Sequence, residues 1–139
     1  MSLTTFSGPV RSQNGFITGH QPTSANAINA TGTATAAQVA DGYITSPSAA
    51  ATTITLPTGT LLGAALGASQ GTSFDLYVDN TAGASTVTMA VATNGVLSSA
   101  AVDTAASFGD LTIAAGATGL ARFTIMFSSA TAYVFTRTA

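Results

Sequence analysis

From about Gly42 onward the chain is a run of short stretches in which apolar and polar residues alternate. In Thr52-Thr53-Ile54-Thr55-Leu56, Ile54 and Leu56 fall on one side of an extended strand. From Thr72 to Asp79, Phe74, Leu76 and Val78 turn one way, while Asp75, Tyr77 and Asp79 turn the other. Thr86–Ala92 sends Val87, Met89 and Val91 to one side. Shorter, weaker strands are expected around Val96-Leu97, Ala101-Val102 and Leu111-Thr112-Ile113. Asn80-Thr81-Ala82-Gly83 and Asn94-Gly95 separate these runs with turn residues. One interval departs from the period of two. In Gly59–Ala68, Leu61, Leu62, Ala65 and Leu66 fit a helical stripe, which predicts one short helix. Short strands punctuated in this way predict an all-β body, an antiparallel β-sandwich or jelly-roll-like barrel carrying that helix.

Gly119–Phe127 and Thr131–Thr138 are expected to form a C-terminal hairpin. A two-residue loop at Ser129-Ala130 puts Phe123, Ile125 and Phe127 opposite Thr136, Val134 and Ala132. The other face then carries Arg122 opposite Arg137, Thr124 opposite Phe135, and Met126 opposite Tyr133. Both faces are apolar in that register, whereas a sheet with one solvated face alternates cleanly. Arg122, Met126, Tyr133, Phe135 and Arg137 are therefore expected at a subunit interface. Two facing arginines need a carboxylate between them, from Asp75, Asp79, Asp103 or Asp110 of this or another chain. A different loop length re-pairs the strands and separates the arginines, and the sequence leaves both registers open.

The first forty residues have another texture. Residues 1–20 mix the turn dipeptides Gly8-Pro9 and Asn14-Gly15 with isolated large apolar residues, Leu3, Phe6, Val10, Phe16 and Ile17. No helix or strand of any length fits that spacing. An extended N-terminal arm anchored on a neighbour is expected; a frayed terminus is the alternative. Residues 21–40 are rich in small residues, with only Ile28 and Val39 sizeable and apolar, and read as a linker with a short turn of helix near Ala36–Ala40. The expected division is an arm and linker over 1–41 and a β body over 42–139.

Composition narrows what such a chain can do. Ala (28), Thr (25), Ser (14) and Gly (14) account for 58% of the 139 residues, and only 6% are charged: three Arg, five Asp, no Lys and no Glu. Soluble domains usually carry about a quarter charged residues. A net charge of -2 leaves no basic footprint for nucleic acid. A surface so poor in charge is expected to be covered largely by other protein. The positive mean hydropathy of +0.43 comes from scattered Ala; no window reaches the roughly 20 apolar residues that span a bilayer. The opening Met-Ser-Leu-Thr-Thr lacks the pattern of a secretory signal, so cytoplasmic synthesis without export is expected.

Catalytic chemistry has little to work with. There is one His, His20 in the expected arm, and no Cys. Neither a Ser-His-Asp site nor a tetrahedral zinc site is expected. Asp75 and Asp79 share a strand face but stand roughly 13 Å apart, beyond the usual separation of glycosidase carboxylates. Asp79-Asn80 lacks the acidic density of a calcium loop. Gly63, Gly67 and Gly71 recur every fourth residue without the Lys of a phosphate loop and read as a packing stripe. Tyr43, Tyr77 and Tyr133 could make a sugar-stacking platform, although core-edge or interface tyrosines are the commoner use. No enzyme, cofactor or metal is expected.

Thr5-Phe6-Ser7-Gly8-Pro9-Val10-Arg11-Ser12-Gln13-Asn14-Gly15-Phe16 resembles the N-terminal stretch of small structural proteins of tailed bacteriophages. Thr53-Ile54-Thr55-Leu56-Pro57, Phe74-Asp75-Leu76-Tyr77-Val78-Asp79-Asn80, Thr86-Val87-Thr88-Met89 and Arg122-Phe123-Thr124-Ile125-Met126-Phe127 resemble runs in phage virion β-domains. The family that these residues resemble is the head decoration, or cement, proteins. The resemblance implies a β-barrel or jelly-roll-like body, a homotrimer, on the outer surface of an assembled capsid. It implies that the arm, through Phe6, Val10, Arg11, Phe16 and Ile17, bridges neighbouring major capsid protein subunits. The competing expectation is a tail- or fibre-associated adhesin, a carbohydrate-binding module.

Overall fold

In a computed structural model of the protein, the described residues are 26–97 and 111–139. The arm residues Phe6, Val10, Arg11, Phe16 and Ile17, together with His20, Asp103, Asp110 and the strand expected at Ala101-Val102, lie outside them. Chain order gives β1 (Asn26–Ala27), β2 (Gly32–Thr33), α1 (Ala36–Ala40), β3 (Tyr43–Thr45), β4 (Thr52–Thr55), α2 (Gly59–Leu66) and β5 (Ser73–Asp79). It continues with β6 (Val87–Ala90), β7 (Gly95–Leu97), β8 (Thr112–Ile113), β9 (Leu120–Ser129) and β10 (Ala132–Arg137).

The local rules explain the elements well. Thr35 caps α1 in a reciprocal box, accepting from the Gln38 N–H while the Gln38 side chain accepts from the Thr35 N–H. Thr58 caps α2 by accepting from the Leu61 N–H, and Gly67, left-handed at φ 59°, ends it. Phe74, Leu76 and Val78 of β5 turn inward, as do Ile54 of β4 with Leu56 beyond it, and Val87 and Met89 of β6. These alternations are the ones read from the sequence.

The architecture is not the antiparallel sandwich or jelly roll expected. Strand order is β1-β3-β5-β9-β10-β7 in one sheet and β2-β4-β6-β8 in the other. Five of the eight pairings among the described residues are parallel: β1 with β3, β3 with β5, β2 with β4, β4 with β6, and β10 with β7. Alternation shows which face a residue takes and is silent on the direction of the neighbouring strand. Up to β6 the chain winds in coils, each laying one strand on the large sheet and the next on the small one. Helices α1 and α2 end the first two coils and pack against each other. The exits of successive coils stack: the Ile28 N–H donates to Thr45 O and the Ser46 N–H to Asp79 O, while the buried Ser46 hydroxyl donates to Ile28 O.

Residues 26–41, expected as linker, therefore belong to the folded body. They supply β1, β2 and α1, and bury Ala34 and Val39. After the coils, β8 closes the small sheet against β6, and the β9–β10 hairpin covers β5. One hydrophobic core fills the space between the sheets and under the helices.

The hairpin register also differs from expectation. Tyr133 pairs with Phe127, Phe135 with Ile125 and Arg137 with Phe123, with an irregularity between Ala132 and Tyr133. One residue of slip turns a whole strand over. Tyr133 and Phe135 thus enter the core beside Phe127 and Phe123, where Phe123 and Phe135 stack at 4.8 Å and Phe127 meets Tyr133 edge-on at 6.0 Å. The arginines separate: Arg122 Nε donates to the Thr138 hydroxyl, and Arg137 donates to Ala139 O and, across to the small sheet, Thr112 O.

Two close contacts hold these parts together. The helix α2 lies against the hairpin loop through Gly59 and Gly63, where a Cβ would stand 2.3 Å from Thr131 O and 2.0 Å from Ala130 O. The packing stripe is thus Gly59 and Gly63; Gly67 is the cap and Gly71 faces open space. At the end of β5, the fully buried Asn80 directs its amide nitrogen at Ser85 O, Ile113 O and Ala114 O. Its side-chain oxygen has no partner among the described residues and sits where a Cβ on Gly83 would fall.

Alanine is a better helix former than glycine by about 1 kcal/mol, whereas forcing atoms into a packed site costs about 1–3 kcal/mol. Gly63→Ala is accordingly expected to destabilise the fold by about 1–2 kcal/mol; a raised denaturation midpoint would show that the contact is not limiting. Asn80→Asp sets a carboxylate among three carbonyl oxygens and is expected to cost about 3 kcal/mol or more, read as a lowered urea midpoint at neutral pH.

Candidate functional site

The outward face of the large sheet is the broadest surface that the fold organises. Cross-strand register arranges it in rows. One row runs Ser73, Met126, Val134 and Val96 across β5, β9, β10 and β7. The next holds Asp75, Thr124 and Thr136, followed by Tyr43, Tyr77 and Arg122, then Ala27, Thr45, Asp79 and Leu120. Val96, Leu120 and Met126 are 58%, 53% and 50% exposed, high for large apolar side chains on a strand. The face is therefore apolar at two opposite margins and polar between them.

Of the residues expected at a subunit interface, this face carries Arg122 and Met126. Tyr133 and Phe135 are instead fully buried within their own chain, and Arg137 spans the two sheets. The same one-residue slip accounts for all three. Hydrophobicity alone pointed to these side chains, and register decided which side of the sheet received them.

At the margin where β3 and β5 approach the ends of the helices, the surface is hollowed into an open groove of about 600 Å³. Asp41, Tyr43, Leu66, Phe74, Asp75 and Tyr77 are among its lining residues. Tyr43 and Tyr77 are register partners on adjacent parallel strands, and both are partly exposed. Their juxtaposition was not visible in the sequence, because a three-residue strand has too little periodicity to be aligned with a partner 34 positions away. The third tyrosine of the supposed stacking platform, Tyr133, is in the core.

Hydrogen bonds fix the groove's polar groups. The Tyr43 hydroxyl donates to Asp79 Oδ2 at 2.6 Å, and Asp79 Oδ1 accepts from both the backbone N–H and the hydroxyl of Thr81. The Thr81 hydroxyl, then Tyr43, then the Thr81 N–H hold the Asp79 carboxyl below its ordinary range, and the bond to Asp79 raises the Tyr43 phenol. Asp75 accepts from the Thr124 hydroxyl at 2.8 Å and Asp41 from the Asn26 amide at 2.8 Å. Among the described residues no cluster of three or more His, Cys, Asp or Glu side chains is arranged to hold a metal ion. No helix among them is long and apolar enough to cross a membrane.

Searches against protein families, curated proteins and solved structures find no match to this chain.

The titration of the tyrosines gives a test of the site and its support. Burial pushes the Tyr133 phenol from 10 up to about 12, partly opposed by a backbone contact at Ala92. A phenol that holds its proton more tightly when folded contributes stability that is complete below pH 10 and lost as the pH rises through 12. Tyr43 adds loss of the same sign. Alkaline unfolding, followed by circular dichroism together with tyrosinate absorbance, is expected to set in over that interval. Tyr133→Phe should blunt it while costing about 1 kcal/mol at neutral pH, because the Tyr133 hydroxyl donates to Pro57 O at 3.0 Å.

Proposed function

We propose that the protein is a virion structural protein that binds the outer surface of an assembled bacteriophage capsid and stabilises it by bridging neighbouring major capsid protein subunits. The observation that carries this reading is the outward face of the large sheet, where Met126, Val96 and Leu120 stand exposed on rigid, register-locked strands. A chain with eight charged residues in 139 has little else with which to keep such a face in water. The resemblance of residues 5–16 to phage structural proteins supports the same reading and supplies the class of partner.

In this account the N-terminal arm, through Phe6, Val10, Arg11, Phe16 and Ile17, reaches across one capsid subunit while the sheet face rests on another. Each contact is weak, and joining them in one chain gives avidity. Binding to the closed shell and not to its separated subunits raises the free energy of opening it. Self-association into a trimer would multiply the contacts again. Sparse charge means that docking relies on apolar anchors and backbone hydrogen bonds.

Capsids assembled without the protein provide the assay. Adding the intact chain is expected to raise the temperature at which shells release their contents, with occupancy on the scale of the shell subunits. Deleting residues 1–20, upstream of β1, should leave a folded body that no longer binds. Met126→Asp, on the exposed face, should weaken binding about tenfold or more with the fold retained. Full binding by the truncated chain would overturn the bridging role of the arm, and a handful of copies per particle would favour a tail position.

A further inference from the structure

We propose that the groove bounded by β3, β5 and the ends of α1 and α2 is a binding site for a neutral saccharide, a role separate from docking on a shell. The proposal rests on what the groove's walls offer. Tyr43 and Tyr77 stand side by side with partly exposed rings, and Leu66 and Phe74 contribute apolar surface from the interior side. Apolar C–H faces of a sugar ring pack on such aromatic surfaces, whose polar ends remain wet. The volume of about 600 Å³ lies in the range of about 300–1,000 Å³ of small-molecule sites.

The polar groups select hydroxyl ligands. Asp75 and Asp41 each commit one carboxylate oxygen to a neutral donor, the Thr124 hydroxyl and the Asn26 amide. The second oxygen of each, and the Tyr77 hydroxyl, accept or donate no hydrogen bond among the described residues. Fixed carboxylate oxygens beside an aromatic wall match the donor hydroxyls of a sugar, and hydrogen bonds to a charged acceptor are the stronger kind. Tyr43 cannot swing away easily, because Asp79 holds its hydroxyl and Thr81 in turn holds Asp79. An acidic glycan would meet Asp41 and Asp75 without a compensating cation in the groove's lining. The preorganised aromatic pair and the open acceptors therefore favour an uncharged ligand over an anionic one.

The full-length chain can be tested on an array of neutral and acidic glycans, with backbone amide shifts used to map any hit. A tetralysine peptide serves as the cationic control. The expected result is binding of neutral glycans with shifts centred on Gly42, Tyr43 and Asp75. Tyr77→Ala should weaken that binding about tenfold or more and Asp75→Asn several-fold, with unchanged thermal melting. Both side chains are exposed, so neither variant should unfold the protein. The proposal fails if no neutral glycan binds, if Tyr77→Ala binds as well as the parent, if acidic glycans bind better, or if tetralysine alone perturbs the groove. Met126→Asp, which leaves the groove's lining unchanged, should weaken capsid binding and keep glycan binding, so that the two readings fail separately.

Discussion

Strand β5 is hydrogen-bonded on both edges, parallel to β3 on one side and antiparallel to β9 on the other, and the rest of the molecule depends on that double pairing. The coiled first half and the hairpin at the C-terminus are different kinds of structure. Neither has a complete core of its own. Leu76 and Val78 point from β5 into the space that Ile54, Met89, Phe123 and Phe135 fill from both sheets. At the end of the strand Asn80 donates to carbonyls of Ser85, Ile113 and Ala114, while its backbone N–H donates to Gly119 O. One buried residue thus ties the exit of β5 to the approach to β6, the end of β8 and the approach to β9. Buried polar groups cost free energy unless paired, so this corner fixes the geometry more than a hydrophobic residue could.

The division of labour between the two sides of the large sheet follows from the same pairing. Its inner side is almost wholly aliphatic and aromatic. Its outer side receives three of the five charged residues among those described, Asp75, Asp79 and Arg122, along with the exposed tyrosines and apolar margins. Among the described residues, three of five charged side chains thus share one surface. That concentration supports reading the face as the working surface of the molecule.

Much of the local structure was legible in the residues. The helix at Gly59–Ala68, the short helical turn at Ala36–Ala40 and the inward sets of β4, β5 and β6 follow from spacing and caps, which act over a few residues. The candidate site was legible only in part: Asp75, Tyr77, Arg122 and Met126 could be assigned to an outward face, but Tyr43 could not be joined to Tyr77. The apolar hairpin residues misled for a definite reason. With large side chains at both odd and even positions of Phe123–Phe127 and Tyr133–Phe135, either register buries a plausible set, and a single irregularity after Ala132 decides between them.

By itself, then, the sequence determined the extended character of the chain, its helix boundaries and the scarcity of titratable chemistry, because these depend on composition and near-neighbour spacing. Tertiary structure alone decided that β1 to β6 alternate between two sheets, that most pairings among the described residues run parallel, and that residues 26–41 join the body. Those outcomes depend on hydrogen bonds between strands separated by 18 to 35 positions, and a strand's alternating pattern is the same whichever way its neighbour runs. The groove exists for the same reason: it is formed where distant coils come to lie side by side.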